Sequence, residues 1–303
     1  MTQDTLLRMI FKKASVRGAS VRLENTWSAV REFRTWPVCV TTLMGELTAG
    51  ALLLASSLKF EGSLILQIQG DGPVRMAIVE VKNGLAIRAT AKLHEGVVFS
   101  NSMGLTELVN AHGQGRCAIM LDPKDRPEGE PLYQGVVSLA GSSVAEVLEN
   151  YLEQSEQIHT RLWLAANEKA ASGLMIQKMP ATGGYETEVR AEEQEENLHR
   201  IEMLAQTVTD EEMLTLSPQE LTHRLFWEEA PDYFEPQQPY FACTCSREKV
   251  SRMIEQLGEV EALQIASEEG ELAVTCDFCG KTERFTPEQI SEIFSRNGHQ
   301  QVH

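Results

Sequence analysis

Hydrophobic and polar positions divide the chain into three stretches with different rhythms. Up to about Met179, runs rich in aliphatic and β-branched residues dominate. Ser63–Gln69 and Val74–Val81 are joined by Gly70-Asp71-Gly72-Pro73, a turn signal between two apolar runs that predicts a hairpin. Leu85–Ala91, Cys117–Leu121 and Gln134–Leu139 are further strand candidates. Helical spacing follows at Val144, Leu148, Tyr151 and Leu152, and again near Ile158, Leu162 and Leu164. Strands that adjoin one another and are followed by helices predict an α+β class rather than alternating α/β. This first domain, a mixture of sheet and helix, is placed at residues 1–179.

The rhythm breaks at Pro180-Ala-Thr-Gly-Gly184. From Glu186 to Ala230, 13 acidic residues stand against three basic ones. Leu198, Ile201, Ala205 and Val208 nevertheless keep a helical spacing. Thr209-Asp-Glu-Glu212 and Ser217-Pro-Gln-Glu220 each fit a capping box, the second with Pro at the first helical position. An acidic helical linker is therefore placed at residues 180–230. Isolated helices of about 12–15 residues are marginal in water. Leu198, Ile201, Leu221, Leu225 and Phe226 are accordingly expected to form an apolar stripe that docks on a partner surface. The blander reading of the same stretch is a solvated connector.

The third stretch, residues 231–303, predicts a short helix over Glu248–Leu257 ended by Gly258, and a strand over Glu271–Thr275. Thr286-Pro287-Glu-Gln289 caps a last helix that stops at Asn297-Gly298. Large apolar side chains are few here. A domain of roughly 70 residues with so thin a core needs a staple.

Composition narrows the classes of function. The 303 residues suffice for about two domains and, at 42% apolar and 23% charged, for an ordinary buried core. Asp and Glu number 44 against 27 Lys and Arg, and the net charge of −17 repels phosphate backbones. No nucleic-acid partner is expected. The longest apolar stretch, Ala49–Leu58, falls short of the ~20 residues a membrane span needs. The first residues lack the apolar core of a secretory signal. A cytoplasmic protein with no membrane partner is expected.

The cysteines bring in chemistry. Cys39 and Cys117 are isolated, and no role is assigned to them. Cys243-Thr-Cys245 and Cys276-Asp-Phe-Cys279-Gly280-Lys281 concentrate the other four near the C-terminus. In a cytoplasmic chain such pairs point to metal or redox chemistry. Four thiolates from two short turns can surround one zinc ion tetrahedrally, at Zn–S distances of ~2.3 Å. Cys-x-x-Cys puts both sulfurs on one side of a tight turn, and Gly280 suits the backbone angles there. Cys-x-Cys is tighter, and a disulfide within it closes a small, strained ring. One zinc per chain is expected in the reduced state. Spacing alone leaves open whether that zinc is permanent or redox-labile.

The cysteine pattern lies within Phe234-Glu-Pro-Gln…Cys-Thr-Cys-Ser-Arg-Glu-Lys-Val and Val274-Thr-Cys-Asp-Phe-Cys-Gly-Lys. Together with Gln69-Gly-Asp-Gly-Pro73, Tyr133-Gln-Gly-Val-Val137, Tyr151-Leu-Glu-Gln-Ser-Glu-Gln157 and His223-Arg-Leu-Phe226, it resembles the heat-shock protein 33 family over nearly the whole chain. The resemblance implies a redox-regulated holdase that works without ATP, and not an enzyme. It implies that Cys243, Cys245, Cys276 and Cys279 hold zinc when reduced. On oxidation Cys243 pairs with Cys245 and Cys276 with Cys279, zinc leaves, and the C-terminal region unfolds. The linker then loses its docking partner, unfolding client proteins are captured, and the active form is a homodimer.

Other readings are weaker on the residues. A zinc-ribbon adaptor with permanent zinc, or a nucleic-acid zinc domain, would be favoured by a basic face. Arg247, Lys249, Arg252, Lys281 and Arg284 are instead mixed with at least as many carboxylates. A dithiol oxidoreductase would need one exposed low-pKa cysteine. Gly70-x-Gly72 lacks the third glycine of a nucleotide loop, and His299 and His303 read as solvated tail residues.

Overall fold

The computed structural model describes residues 4–58, 61–127, 129–179 and 191–298. The break at Pro180–Gly184, the start of the linker up to residue 190, and His299 and His303 lie outside the described residues. Two compact units meet in sequence between Ala242 and Cys243.

In the first unit, β1 (Thr5–Phe11) and β2 (Val16–Leu23) form a hairpin, followed by α1 (Asn25–Arg31) and α2 (Val38–Ser57). Then come β3 (Gly62–Gln69), β4 (Val74–Lys82), β5 (Ala86–Leu93), a short α3 (Leu105–Val109), β6 (Arg116–Pro123) and β7 (Tyr133–Ser138). Next are α4 (Val144–Tyr151) with a π-helical turn over Leu152–Glu156, β8 (Thr160–Ala166) and β9 (Ala171–Lys178). The acidic stretch supplies α5 (Ala191–Ala205), α6 (Asp210–Thr215) and α7 (Pro218–Phe226), and the unit closes with two-residue strands β10 (Asp232–Tyr233) and β11 (Tyr240–Phe241).

These strands make a five-stranded sheet, β10-β1-β2-β9-β8, and a six-stranded sheet, β11-β5-β4-β3-β6-β7. The hairpin predicted around Gly70–Pro73 is the antiparallel β3–β4 pair, in register from Ser63↔Lys82 to Gln69↔Met76. Sheets and helices thus combine as the α+β class requires.

α2 packs on β2, β8 and β9 of one sheet and on β3, β4 and β5 of the other. It is apolar on all sides, as a helix enclosed by two sheets must be. By length and composition it is apolar enough to cross a membrane, which the reading of Ala49–Leu58 missed. With 78% of that window buried inside the unit, it is a core helix. Gly45 permits its close approach: a Cβ there would lie 2.4 Å from the Cβ of Ala166.

The helix predicted near Ile158, Leu162 and Leu164 is not formed; Leu162 and Leu164 lie in β8 and Ile158 just before it. The π turn and Gln157, at φ 55°, end α4, and β8 then pairs with β9 from Thr160↔Gln177 to Ala166↔Ala171. Cross-strand pairing overrides a short apolar spacing.

The second unit, from Cys243, holds α8 (Arg247–Leu257), α9 (Glu259–Glu269), the hairpin β12 (Leu272–Thr275) and β13 (Thr282–Phe285), and α10 (Pro287–Gly298). Gly258, at φ 100°, ends α8, but the chain resumes at once as α9. Thr286 and Gln289 make the expected reciprocal cap. The sequence reading placed the start of this domain at residue 231. Residues 231–242 instead fall in the first unit, because β10 pairs with β1 and β11 with β5.

Candidate functional site

Cys243 and Cys245 lie between β11 and α8, and Cys276 and Cys279 occupy the β12–β13 turn. That turn is a knuckle: the Gly280 N–H donates to the Cys276 carbonyl (3.0 Å), and the Cys276 N–H donates to the Lys281 carbonyl (2.9 Å). Gly280 has φ 68°, the left-handed region in which glycine is at ease.

The four Sγ atoms all lie within 4.8 Å of one another, and every one of these cysteines is half-buried. Cys243 and Cys276 approach to 3.6 Å and Cys245 and Cys279 to 3.3 Å, contacts that run between the two motifs. Four sulfurs at ~2.3 Å from one tetrahedral centre would be roughly 3.8 Å apart. The cluster therefore fits a single metal ion, and the soft all-sulfur donor set suits zinc.

Electrostatics explain why the cluster calls for a cation. Burial pushes up the Cys245 and Cys279 thiols, and the neighbouring sulfurs reinforce this at Cys245. At Cys243 burial also acts upward, but hydrogen bonds from the Cys245 N–H and from the other thiols outweigh it and hold that group below its ordinary value. A divalent ion at the centre is what allows all four to be thiolates together. Charge around the cluster is mixed: Lys249 donates to the Thr244 carbonyl (2.7 Å), and Lys281 pairs with Glu283 (2.6 Å).

The apolar core of this unit is small. Among the described residues Ile254, Ala262, Ala266, Leu272, Phe285 and Ile290 are its buried apolar side chains, with Val250, Leu263 and Phe294 partly buried against them, and the Arg247 guanidinium covers the Phe285 ring at 4.0 Å.

The linker stripe is placed in the first unit. Leu198, Ile201, Leu221, Leu225 and Phe226 are buried with Ala205 and Met213 against Met9, Phe11, Ala14, Val16, Ala165, Leu174 and Ile176. Phe226 meets Phe11 edge to face at 5.1 Å. The apolar partner of α5–α7 is therefore the face of the five-stranded sheet opposite α2. Polar ties frame the contact: Arg22 donates to the Leu214 carbonyl (2.8 and 3.0 Å), Arg200 forks onto Glu229 (2.6 and 2.9 Å), and His159 meets Glu202 (2.7 Å). Both capping boxes form. Sequence reasoning missed the sheet side of this contact. Its only signal was that β9 is apolar at consecutive positions, the mark of a strand covered on both faces.

The remaining candidates are structural. A Cβ at Gly70 or Gly72 would strike backbone carbonyls at 2.1 and 2.6 Å, and the Asp71 carboxylate accepts from the His112 and Gln114 N–H groups. Cys39 and Cys117 are buried, and burial pushes the Cys117 thiol up to about 12.

A family model described as "Hsp33 protein" matches residues 4–286. The chain belongs to the Hsp33 family. The 33 kDa chaperonin of Chromobacterium violaceum is 38% identical over 292 residues, covering 96% of this chain and 94% of that one. The 33 kDa chaperonin of Methylobacillus flagellatus is 39% identical over 293 residues, with 96% and 94% covered. The solved 33 kDa chaperonin of Thermotoga maritima shares the fold, with a TM-score of 0.79, 20% identity, and coverage of 97% and 99%. Membership of Hsp33 makes the chain a chaperone and not an enzyme.

Proposed function

We propose that this chaperone is a redox-regulated, ATP-independent holdase of the cytoplasm. It rests while Cys243, Cys245, Cys276 and Cys279 hold one zinc ion and acts when they are oxidised. The observation that carries this reading is the crowding of four sulfurs within 4.8 Å in a unit with so small an apolar core. Zinc bound there would keep the sulfurs deprotonated and contribute folding free energy, on the order of 10 kcal/mol.

Thiolates are nucleophiles toward peroxide. In each pair, two thiolates yield two electrons to one peroxide molecule and one S–S bond forms. With two protons the peroxide departs as two waters. The pairs follow the family resemblance, Cys243 with Cys245 and Cys276 with Cys279. Two small rings no longer tie the two turns together, and the second unit unfolds.

Residues 227–242 join α7 to Cys243 and are held to the sheets by β10, β11 and the Leu6–Gln237 bridge. Loss of the second unit loosens this strap, and α5–α7 come away from the sheet. Met9, Phe11, Val16, Leu174 and Ile176 then become apolar surface for unfolding clients. Two oxidised chains pair as a homodimer and enlarge that surface.

The test is zinc and free-thiol content before and after peroxide, alongside aggregation of a thermally unfolding client. One zinc and four reactive thiols should be lost as aggregation is suppressed. Zinc retained through oxidation, with no suppression, would favour an adaptor with a permanent structural ion.

A further inference from the structure

In the first unit a cavity of about 150 Å³ opens between the end of α2, the β4–β5 turn and the strap, lined by Arg8, Ser56, Asn83, Gly84 and Gln237. Arg8 sets its character. Its Nε is buried and has no hydrogen-bond partner, and its guanidinium pairs with no carboxylate among the described residues. The Phe234 ring covers the guanidinium at 5.4 Å, and the Arg8 carbonyl accepts from the Phe234 N–H (2.9 Å). The carboxamides of Asn83 and Gln237 make no side-chain hydrogen bond among the described residues.

Arg17, on the neighbouring strand, shows the contrast: it donates to Gln177 (2.6 Å) and to the Ser57 carbonyl (2.9 Å), and so is satisfied within the fold. The chain has 44 Asp and Glu residues and brings none of the described ones within 4.0 Å of the Arg8 nitrogens. A buried donor without a partner calls for an explanation, and a guanidinium fork matches the paired oxygens of a carboxylate or phosphate. A cavity near 150 Å³ admits a ligand about the size of benzene.

We propose that this cavity is a binding site for a small oxyanion, held by the Arg8 guanidinium with the Asn83 and Gln237 amides as further donors. Such a ligand bridges α2, the β4–β5 turn and the strap that leads to Cys243. A ligand that binds only the folded arrangement stabilises it, so the anion tightens the Leu6–Gln237 bridge.

The test titrates full-length reduced protein with inorganic phosphate and, separately, with succinate at constant ionic strength, read by calorimetry and by thermal unfolding. Saturable one-site binding by either anion, with a rise in unfolding temperature and slower exchange of the Phe234 and Gln237 amides, is expected. Binding by phosphate alone assigns a phosphate group, by succinate alone a carboxylate, and mutual competition a site for both. Arg8→Met should weaken binding at least tenfold, and Arg8→Lys less. Gln237→Glu supplies an internal carboxylate, so it should abolish binding while raising the unfolding temperature without ligand. If Arg8→Met fails to fold, Gln237→Glu decides. No saturable binding by either anion, or binding unchanged in Gln237→Glu, overturns the proposal.

Discussion

The first unit buries α2 on all sides and covers both faces of its five-stranded sheet, whereas the second buries six apolar side chains among its described residues, beside four crowded sulfurs. Buried sulfur such as that of Cys39 and Cys117 is shielded from an oxidant in water, whereas the four half-buried cysteines are not. The difference shows where a chemical signal can enter the molecule. Linker helices α5–α7 belong to the first unit by contact, yet they are acidic and joined to the sheet through one apolar stripe framed by a few polar ties. They are therefore the part of that unit expected to be given up most easily.

Removing metal is the strongest way to break this comparison. Chelation, or Cys276→Ser with Cys279→Ser, should unfold residues 243–298, since structural zinc contributes on the order of 10 kcal/mol. Circular dichroism should lose the α8–α10 signal while amide protection in α2 persists. A second unit that stays folded without metal would show that its small core suffices.

The linker sharpens the comparison next. Phe226→Ala removes the ring that meets Phe11 and should cost about 3–5 kcal/mol of linker docking. Ile201→Asp or Leu225→Asp, which bury a charge in the same cluster, should do more. Each should leave zinc content unchanged and make reduced protein partly active against a thermally unfolding client. A variant with raised linker proteolysis and no activity would separate release from activation.

A smaller effect comes from Glu46 on α2. Burial, reinforced by the charge of Asp210 on α6, pushes its carboxyl up to about 7. A raised carboxyl favours the folded state while neutral. That stability is full below the ordinary carboxylate range and is lost as pH rises through about 7. Glu46→Gln should therefore match the native chain near pH 4 and exceed it near pH 8 by up to about 3 kcal/mol in urea unfolding. An equal gap at both pH values would remove Glu46 as the cause.

Ser217→Ala is the gentlest probe. It removes the hydroxyl that accepts from the Glu220 N–H and should destabilise α7 by about 1 kcal/mol. Linker proteolysis should rise with zinc content unchanged; a drop in zinc would couple the cap to the metal centre.

The parts legible in the sequence are those with local causes. The β3–β4 hairpin has its turn residues, the linker helices have their capping boxes, and the cysteine spacing announces one cluster. What stayed hidden is set by partners distant in sequence. α2 has no polar face because two sheets enclose it, so no amphipathic stripe marks it. β8 took its form from β9, and β10 and β11 are two-residue pairings no pattern could reveal. The linker stripe was visible as apolar spacing, but the sheet face of Met9, Phe11 and Ile176 that receives it was not.

Hydrogen exchange read by peptide, on reduced zinc-loaded protein and after peroxide, tests the central claim most directly. Protection should vanish over residues 243–298 and 191–226 and persist over α2 and β3–β6. Uniform loss across both units, or protection of α5–α7 retained in protein that has become active, would contradict the account.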